Sequence, residues 1–465
     1  MFNRLYLPTV DPFTGTLAAF ATYSVRFAAR PIGGIVIGHF GDRVGRKSML
    51  ILTLTVTGLL LRLRRCCWRR KHGTKSCEAL VMSTVNRRRF LQVGGLGASA
   101  FAMRPAPLMA QKAPDDEDRT VRLSGDGVSL TPSQYSRLLA RLCAEHSIAP
   151  DSYSLGGVVE ELETEFARVL GKERAIFMPT GTLANHMAVR ALAGGPSRVV
   201  VQEESHFYQD EGDCAQTLSS LTLMPLAAGR ATFTADDVQR VIDQTKAARV
   251  VPRVSVIAIE TPVRRKQGER FDGAEMQKII ALARPHGIKL HLDGARLFLQ
   301  AAYTGEDPAV TARPFDTVYV SLYKYFNAAS GAILAGPRDL LDGMYHARRM
   351  FGGGLNTVWA FAAVAKHYLT GFGERYSRAV RTSEDLVREL ARHDGFAIER
   401  IPSGTNLFRL KVRAGDPAAF QKRLGASGVM LSSPQRDTFM VGVNETLNRT
   451  TATDLSDAFV RSLSG

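Results

Sequence analysis

The chain has 465 residues, 60 basic and 44 acidic, for a net charge of +16, and is 45% hydrophobic and 22% charged. This length leaves room for two or more domains and a large core, and the composition excludes a wholly disordered chain and an all-membrane protein. The charge is also confined: residues 1–112 hold 18 Lys and Arg against Asp11, Asp42 and Glu78, while the remainder is balanced to within one charge, which argues against nucleic acid as a partner.

Taken in chain order, residues 14–41 are rich in Gly, Ala, Ile, Val and Phe, interrupted by Arg26 and Arg30. The basic loop Gly38-His39-Phe40-Gly41-Asp42-Arg43-Val44-Gly45-Arg46-Lys47 follows, then a second apolar run from Met49 to Leu61. Two greasy segments around a short basic loop fit membrane helices with a cytoplasmic connection. The phrase RFAARPIGGIVIGHFGDRVGRK resembles the loop between the second and third helices of the major facilitator superfamily, in its metabolite–proton symporter branch. A transporter needs many spans to enclose a path, and a span needs about 20 apolar residues. After Leu61 the pattern collapses into RLRRCCWRRKHGTK, so residues 1–81 read as a fragment left by a gene fusion or a misplaced start. Any membrane association is expected through residues 1–61 alone.

From Met82 the chain reads MSTVNRRRFLQVGGLGASAFAMRPAPLMAQ. Arg87, Arg88 and Arg89 precede Phe90-Leu91, then a weakly apolar stretch and Ala110-Gln111. This resembles a twin-arginine export signal over residues 82–111. It implies translation from near Met82, a periplasmic location and a mature chain beginning near Gln111. The five cysteines (Cys66, Cys67, Cys77, Cys143 and Cys214) form no paired CxxC motif, which supports neither a zinc site nor a disulfide framework.

Beyond about residue 115, apolar β-branched runs alternate with helical patterns. Strands are expected at Arg198–Gln202, Val254–Glu260, Lys289–Asp293, Thr317–Leu322 and Ala332–Ala335, with a short one from Ala175 before the turn at Pro179. Helices are expected at 158–169, 182–193, 235–245 and 274–285. Near-continuous apolar strands alternating with helices predict an α/β fold with a mostly parallel sheet, whose ligands gather at the strands' carboxyl ends. The polar motifs fall at those ends. Met178-Pro179-Thr180-Gly181-Thr182 is a turn and helix start where Thr180 or Thr182 can cap and Gly181 admits a close ligand, as in a phosphate cradle. His206, in Glu203-Glu204-Ser205-His206-Phe207, can stack on a flat ring or move protons. Asp293, in His291-Leu292-Asp293-Gly294-Ala295-Arg296, needs a cationic partner when buried, and Arg296 or a protonated ring nitrogen would serve. Lys324, in Ser321-Leu322-Tyr323-Lys324-Tyr325-Phe326-Asn327, is set to attack an aldehyde.

In this order the four motifs resemble the fold type I pyridoxal-phosphate enzymes. Within that class E-E-S-H-F, H-L-D-G-A-R-L-F and S-L-Y-K followed by G-A-I-L-A-G resemble the threonine aldolase and β-eliminating lyase family over about residues 120–450. The resemblance implies a large cofactor-binding domain over 112–365 and a smaller α+β C-terminal domain over 366–465. It implies pyridoxal 5'-phosphate held covalently by Lys324, with Asp293 at the ring nitrogen, His206 stacked on the ring, Arg296 near the ring's phenolate oxygen or the substrate, and Gly181 and Thr182 at the phosphate. Lys324, His206 and Asp293 are the implied catalytic residues, and no metal is implied. The implied reaction is retro-aldol cleavage of a β-hydroxy amino acid to glycine and an aldehyde in a homodimer or homotetramer. β-Elimination on another amino acid and a non-catalytic relative are the alternatives. The chain departs from the family at Gly352-Gly353-Gly354-Leu355-Asn356-Thr357, where an arginine is replaced, at Glu260-Thr261-Pro262, and at Met440, which stands where a substrate-gripping arginine is usual. Arg436 is the nearest expected substitute.

Overall fold

The computed structural model describes residues 118–250, 252–413 and 415–463. The facilitator-like fragment, the export signal and the start of the mature chain lie outside the described residues. No helix among the described residues is long and apolar enough to cross a membrane.

A short strand, β1 (Val121–Arg122), comes first. The strands of the main sheet follow: β2 (Arg174–Met178), β3 (Arg198–Gln202), β4 (Thr222–Leu226), β5 (Val254–Glu260), β6 (Lys289–Asp293), β7 (Thr317–Ser321) and β8 (Ala332–Gly336). Their spatial order is β2-β8-β7-β6-β5-β3-β4. Every neighbouring pair is parallel except the two that involve β8. The fold is therefore α/β with a mostly parallel sheet. The expected strands are present with boundaries within a residue or two, and the expected helices run over Gly157–Val169, Gly181–Ala193, Ala235–Lys246 and Gly273–Ala283.

The strands alternate even though both faces are apolar. Val200, Ile257 and Ile259 pack on one face with Val159, Leu162 and Phe166 of the helix Gly157–Val169. Val199, Val201, Val256 and Ala258 pack on the other, with Val189 of the helix Gly181–Ala193. A sheet covered on both faces leaves its strand ends as the place for polar chemistry.

A second core is built on β9 (Phe396–Arg400), β10 (Leu407–Val412), β11 (Val429–Met430) and β12 (Thr438–Gly442). β9, β10 and β12 form an antiparallel sheet, and its Phe408, Leu410 and Phe439 meet Phe420 and Phe459 from the covering helices. The expected boundary at 365/366 falls within the helix Trp359–Leu369. The next helix, Phe372–Leu390, serves both cores, giving Phe372 and Tyr376 to the first and Leu386 and Leu390 to the second. The C-terminal layer is also discontinuous in sequence: β1 pairs in parallel with β11, and Val121 and Leu123 are buried in the second core. A strand of two residues carries no periodicity, so this return of the chain is invisible in the sequence.

Candidate active site

The five strands β2, β3, β5, β6 and β7 point the same way, so the turns after Met178, Gln202, Glu260, Asp293 and Ser321 share one edge of the sheet. Register aligns Glu260 with Asp293 and Asp293 with Tyr319. These three side chains form a row in the wall of a cavity of about 730 Å³, which His206, Arg296 and Lys324 also line.

Asp293 is only 4% exposed. Asn185 Nδ2 donates to its Oδ2 at 2.8 Å, and the Ala295 amide donates to its Oδ1 at 3.1 Å. Asn185 Oδ1 in turn meets His291 Nε2 at 3.0 Å, and burial pushes that imidazole down to about 4, so it is neutral at physiological pH. Arg296, the expected side-chain partner, is engaged elsewhere. Its Nε lies 3.0–3.1 Å from both carboxylate oxygens of Asp126, and its terminal nitrogen is 2.9 Å from Oδ2. Among the described residues, Asp293 forms no ion pair with a lysine or arginine. A buried carboxylate without a cation costs several kcal/mol. A protonated ring nitrogen entering the cavity would supply the missing charge.

His206 opens the short helix His206–Gln209, capped by the Ser205 side chain. Its amide donates to Glu260 Oε2 at 2.6 Å, and its Nδ1 meets Glu211 Oε1 at 3.0 Å. Burial pushes the Glu211 carboxyl up to about 7, and the bond to Glu211 lifts His206 above the ordinary histidine range. With Nδ1 engaged by Glu211, Nε2 is the ring nitrogen left for the cavity that His206 lines. Asn185 Nδ2 also donates to Glu211 Oε1 at 2.9 Å, which joins His206 to Asp293 through one amide.

Lys324 is half-buried in the turn after β7. Its Nζ lies 4.8 Å from the centre of the Tyr323 ring and 5.9 Å from that of Tyr319, within cation–π range. The turn is locked from below. Asn327 adopts φ +55°, accepts from the Val128 amide at 2.8 Å and donates to the Tyr325 carbonyl at 3.0 Å. A Cβ on Gly127 would overlap Asn327 Oδ1 and the Lys324 carbonyl, so this contact requires glycine.

At the expected cradle, Thr180 rather than Thr182 is the cap, accepting from the Leu183 amide at 3.2 Å. The amides of Gly181 and Thr182 have no acceptor among the described residues. A Cβ on Gly181 would overlap the Tyr319 hydroxyl, which makes the helix start a close-approach site. Gly181 and Thr182 do not line the cavity themselves, but the helix start lies against Tyr319, which does; with Lys324 and the buried Asp293 carboxylate in the wall, these groups fit pyridoxal 5'-phosphate.

Arg436 does not take up the expected clamp. It is exposed, with φ +59°, in the turn before β12, and it does not line the cavity. Sequence reasoning also gave no role to Asp126, Asn185, Glu211 or Glu260. The five-residue spacing of His206 and Glu211 across a single helical turn was the one available signal.

Fold and site together define a fold type I enzyme of the pyridoxal-phosphate class. The chain belongs to the beta-eliminating lyase family, whose profile matches residues 133–412. The low specificity L-threonine aldolase of Saccharomyces cerevisiae is 27% identical over 288 residues, covering 60% of this chain and 72% of that protein. A Listeria monocytogenes structure described as an L-allo-threonine aldolase superposes with a TM-score of 0.60 at 27% identity, covering 74% of this chain and 96% of its own. A separate likeness is confined to 59 residues, 58% identical to the shikimate transporter of Escherichia coli, or 13% of this chain and 14% of the transporter.

Proposed function

We propose that this chain is a pyridoxal-phosphate-dependent lyase that cleaves a β-hydroxy amino acid to glycine and an aldehyde. The observation that carries the reading is Asp293, a buried carboxylate without a cationic side-chain partner among the described residues, in the wall of the cavity that Lys324 also lines. When bound, pyridoxal phosphate supplies an electron sink for the carbon–carbon bond that breaks. Lys324, which lines the cavity wall, would hold the cofactor. Asp293, fixed by Asn185 and the Ala295 amide, keeps a proton on the ring nitrogen. His206 would stack on the ring and, with Nδ1 held by Glu211, would take the substrate's hydroxyl proton at Nε2, directly or through a water. Arg296, oriented by Asp126, reaches the ring's phenolate oxygen or the substrate. The amides of Gly181 and Thr182 receive the phosphate.

The assembly is proposed to be a homodimer or homotetramer. Tyr153, Leu155, Met350 and Leu355 support this as exposed apolar side chains around the glycine run Gly352–Gly354. The exported chain is proposed to start near Gln111, as N-terminal peptide mass spectrometry of native protein would test. For the reaction, purified protein with pyridoxal phosphate is given L-threonine, L-allo-threonine and phenylserine, and glycine and aldehyde are measured together. Equimolar release of both is expected. Release of ammonia and a keto acid without glycine would replace cleavage by elimination.

A further inference from the structure

We infer that Arg264 binds the substrate's α-carboxylate; the inference rests on the amino acid lyase reading above. An amino acid brings a carboxylate into the cavity, and a carboxylate calls for a fixed cation. Arg264 lines the cavity together with Lys324 and Arg296. Lys324 is assigned to the cofactor. Arg296 commits its Nε and one terminal nitrogen to Asp126, which leaves a single nitrogen for the ring's phenolate oxygen or the substrate and no free two-nitrogen edge for a carboxylate. Arg409, which faces Met440 across the β10–β12 pair, is engaged by Glu399 and by Gln267 Oε1 and does not line the cavity. Arg265, the next residue along, pairs with Asp210 at 2.9 Å. Among the described residues, the Arg264 guanidinium forms no ion pair.

The base of Arg264 is built rigidly. Its amide donates to Glu260 Oε1 at 2.9 Å, while the other oxygen of the same carboxylate accepts from the His206 amide at 2.6 Å. One buried side chain therefore ties the two loops that carry His206 and Arg264 to the end of β5. The preceding residue, Val263, is buried and bridged to Glu269, and the Arg264–Lys266 turn closes on Gln267 at φ +57°. The stem is thus fixed on the wall that holds His206, while the exposed guanidinium is left for an incoming anion.

The test uses the holoenzyme and reads binding through the visible absorption change on titration with glycine and with glycinamide, which lacks the carboxylate. In Arg264→Gln, glycine binding is expected to weaken about 10- to 100-fold, as for loss of a charged hydrogen bond, with glycinamide unchanged. Arg264→Lys should recover part of the loss, since it keeps the charge but not the planar fork. In turnover the change should fall on KM more than kcat. Glycine binding equal to wild type in Arg264→Gln, or equal weakening for glycinamide, would overturn the assignment. A wild-type holoenzyme that binds glycine and shows no lyase turnover would instead sink the functional reading and leave the binding comparison intact.

Discussion

At the scale of single residues, the site is arranged around one buried carboxylate that no described side chain neutralises. Among the described residues, Asp293 receives neutral hydrogen bonds and no cation, while the neighbouring Arg296 pairs with Asp126. The arrangement predicts that Asp293→Ala still attaches the cofactor but loses turnover on the order of 100-fold or more, because a preorganised charge is gone. Cofactor retention after dialysis and steady-state rates measure the two effects separately. The sequence made Asp293 and Lys324 legible because each is polar at or just past the end of an apolar run, and His206 because it stands in the polar turn that follows β3. Asn185, Glu211 and Asp126 stayed hidden for a physical reason. Asn185 sits inside a helix, Glu211 follows a short one, and Asp126 comes from a segment far upstream, so only the folded chain brings them to the strand ends.

At the scale of elements, the start of the helix Gly181–Ala193 is the most constrained point of the cradle. Gly181→Ala must displace the buried Tyr319 ring, a strain of about 1–3 kcal/mol. A lower midpoint in thermal or urea unfolding, together with weaker cofactor binding, is expected. Thr180→Ala should cost only about 1 kcal/mol through loss of the cap. A smaller loss for Gly181→Ala than for Thr180→Ala would contradict the close-approach account. Strands β3, β5 and β7 were legible as β-branched apolar runs and β6 as the short Leu290-His291-Leu292 run before a polar turn, but β4 was not. It is an edge strand of mixed exposure containing Pro225, so neither alternation nor a continuous apolar run marks it. The reversal of β8 was equally silent, since Ala332–Gly336 is buried on both faces and carries no directional signal.

At the scale of the whole molecule, three buried carboxyls tie stability to pH. Burial pushes Glu163, Glu211 and Glu260 each up to about 7. A group whose folded value is raised contributes stability below its unfolded value and loses it as pH rises through the folded one. Stability of the cofactor-free protein should therefore fall between about pH 4.5 and 7, by at most about 3 kcal/mol for Glu163 alone. Glu163 lies away from the cavity and accepts from the Phe177 amide at 2.7 Å, a bond glutamine can keep. Glu163→Gln should flatten the slope and raise the unfolding midpoint at pH 8, and an unchanged slope would refute the linkage. Assembly belongs to this scale too, and light scattering of the holoenzyme should give a dimer or a tetramer rather than a monomer. The account as a whole turns on the anchor of the cofactor. Borohydride reduction of the native holoenzyme, followed by peptide mapping, locates the lysine that carries it. The structure predicts the label on the peptide containing Lys324 and none in Lys324→Ala; a reduced cofactor on Lys172, Lys289 or any other lysine would contradict it.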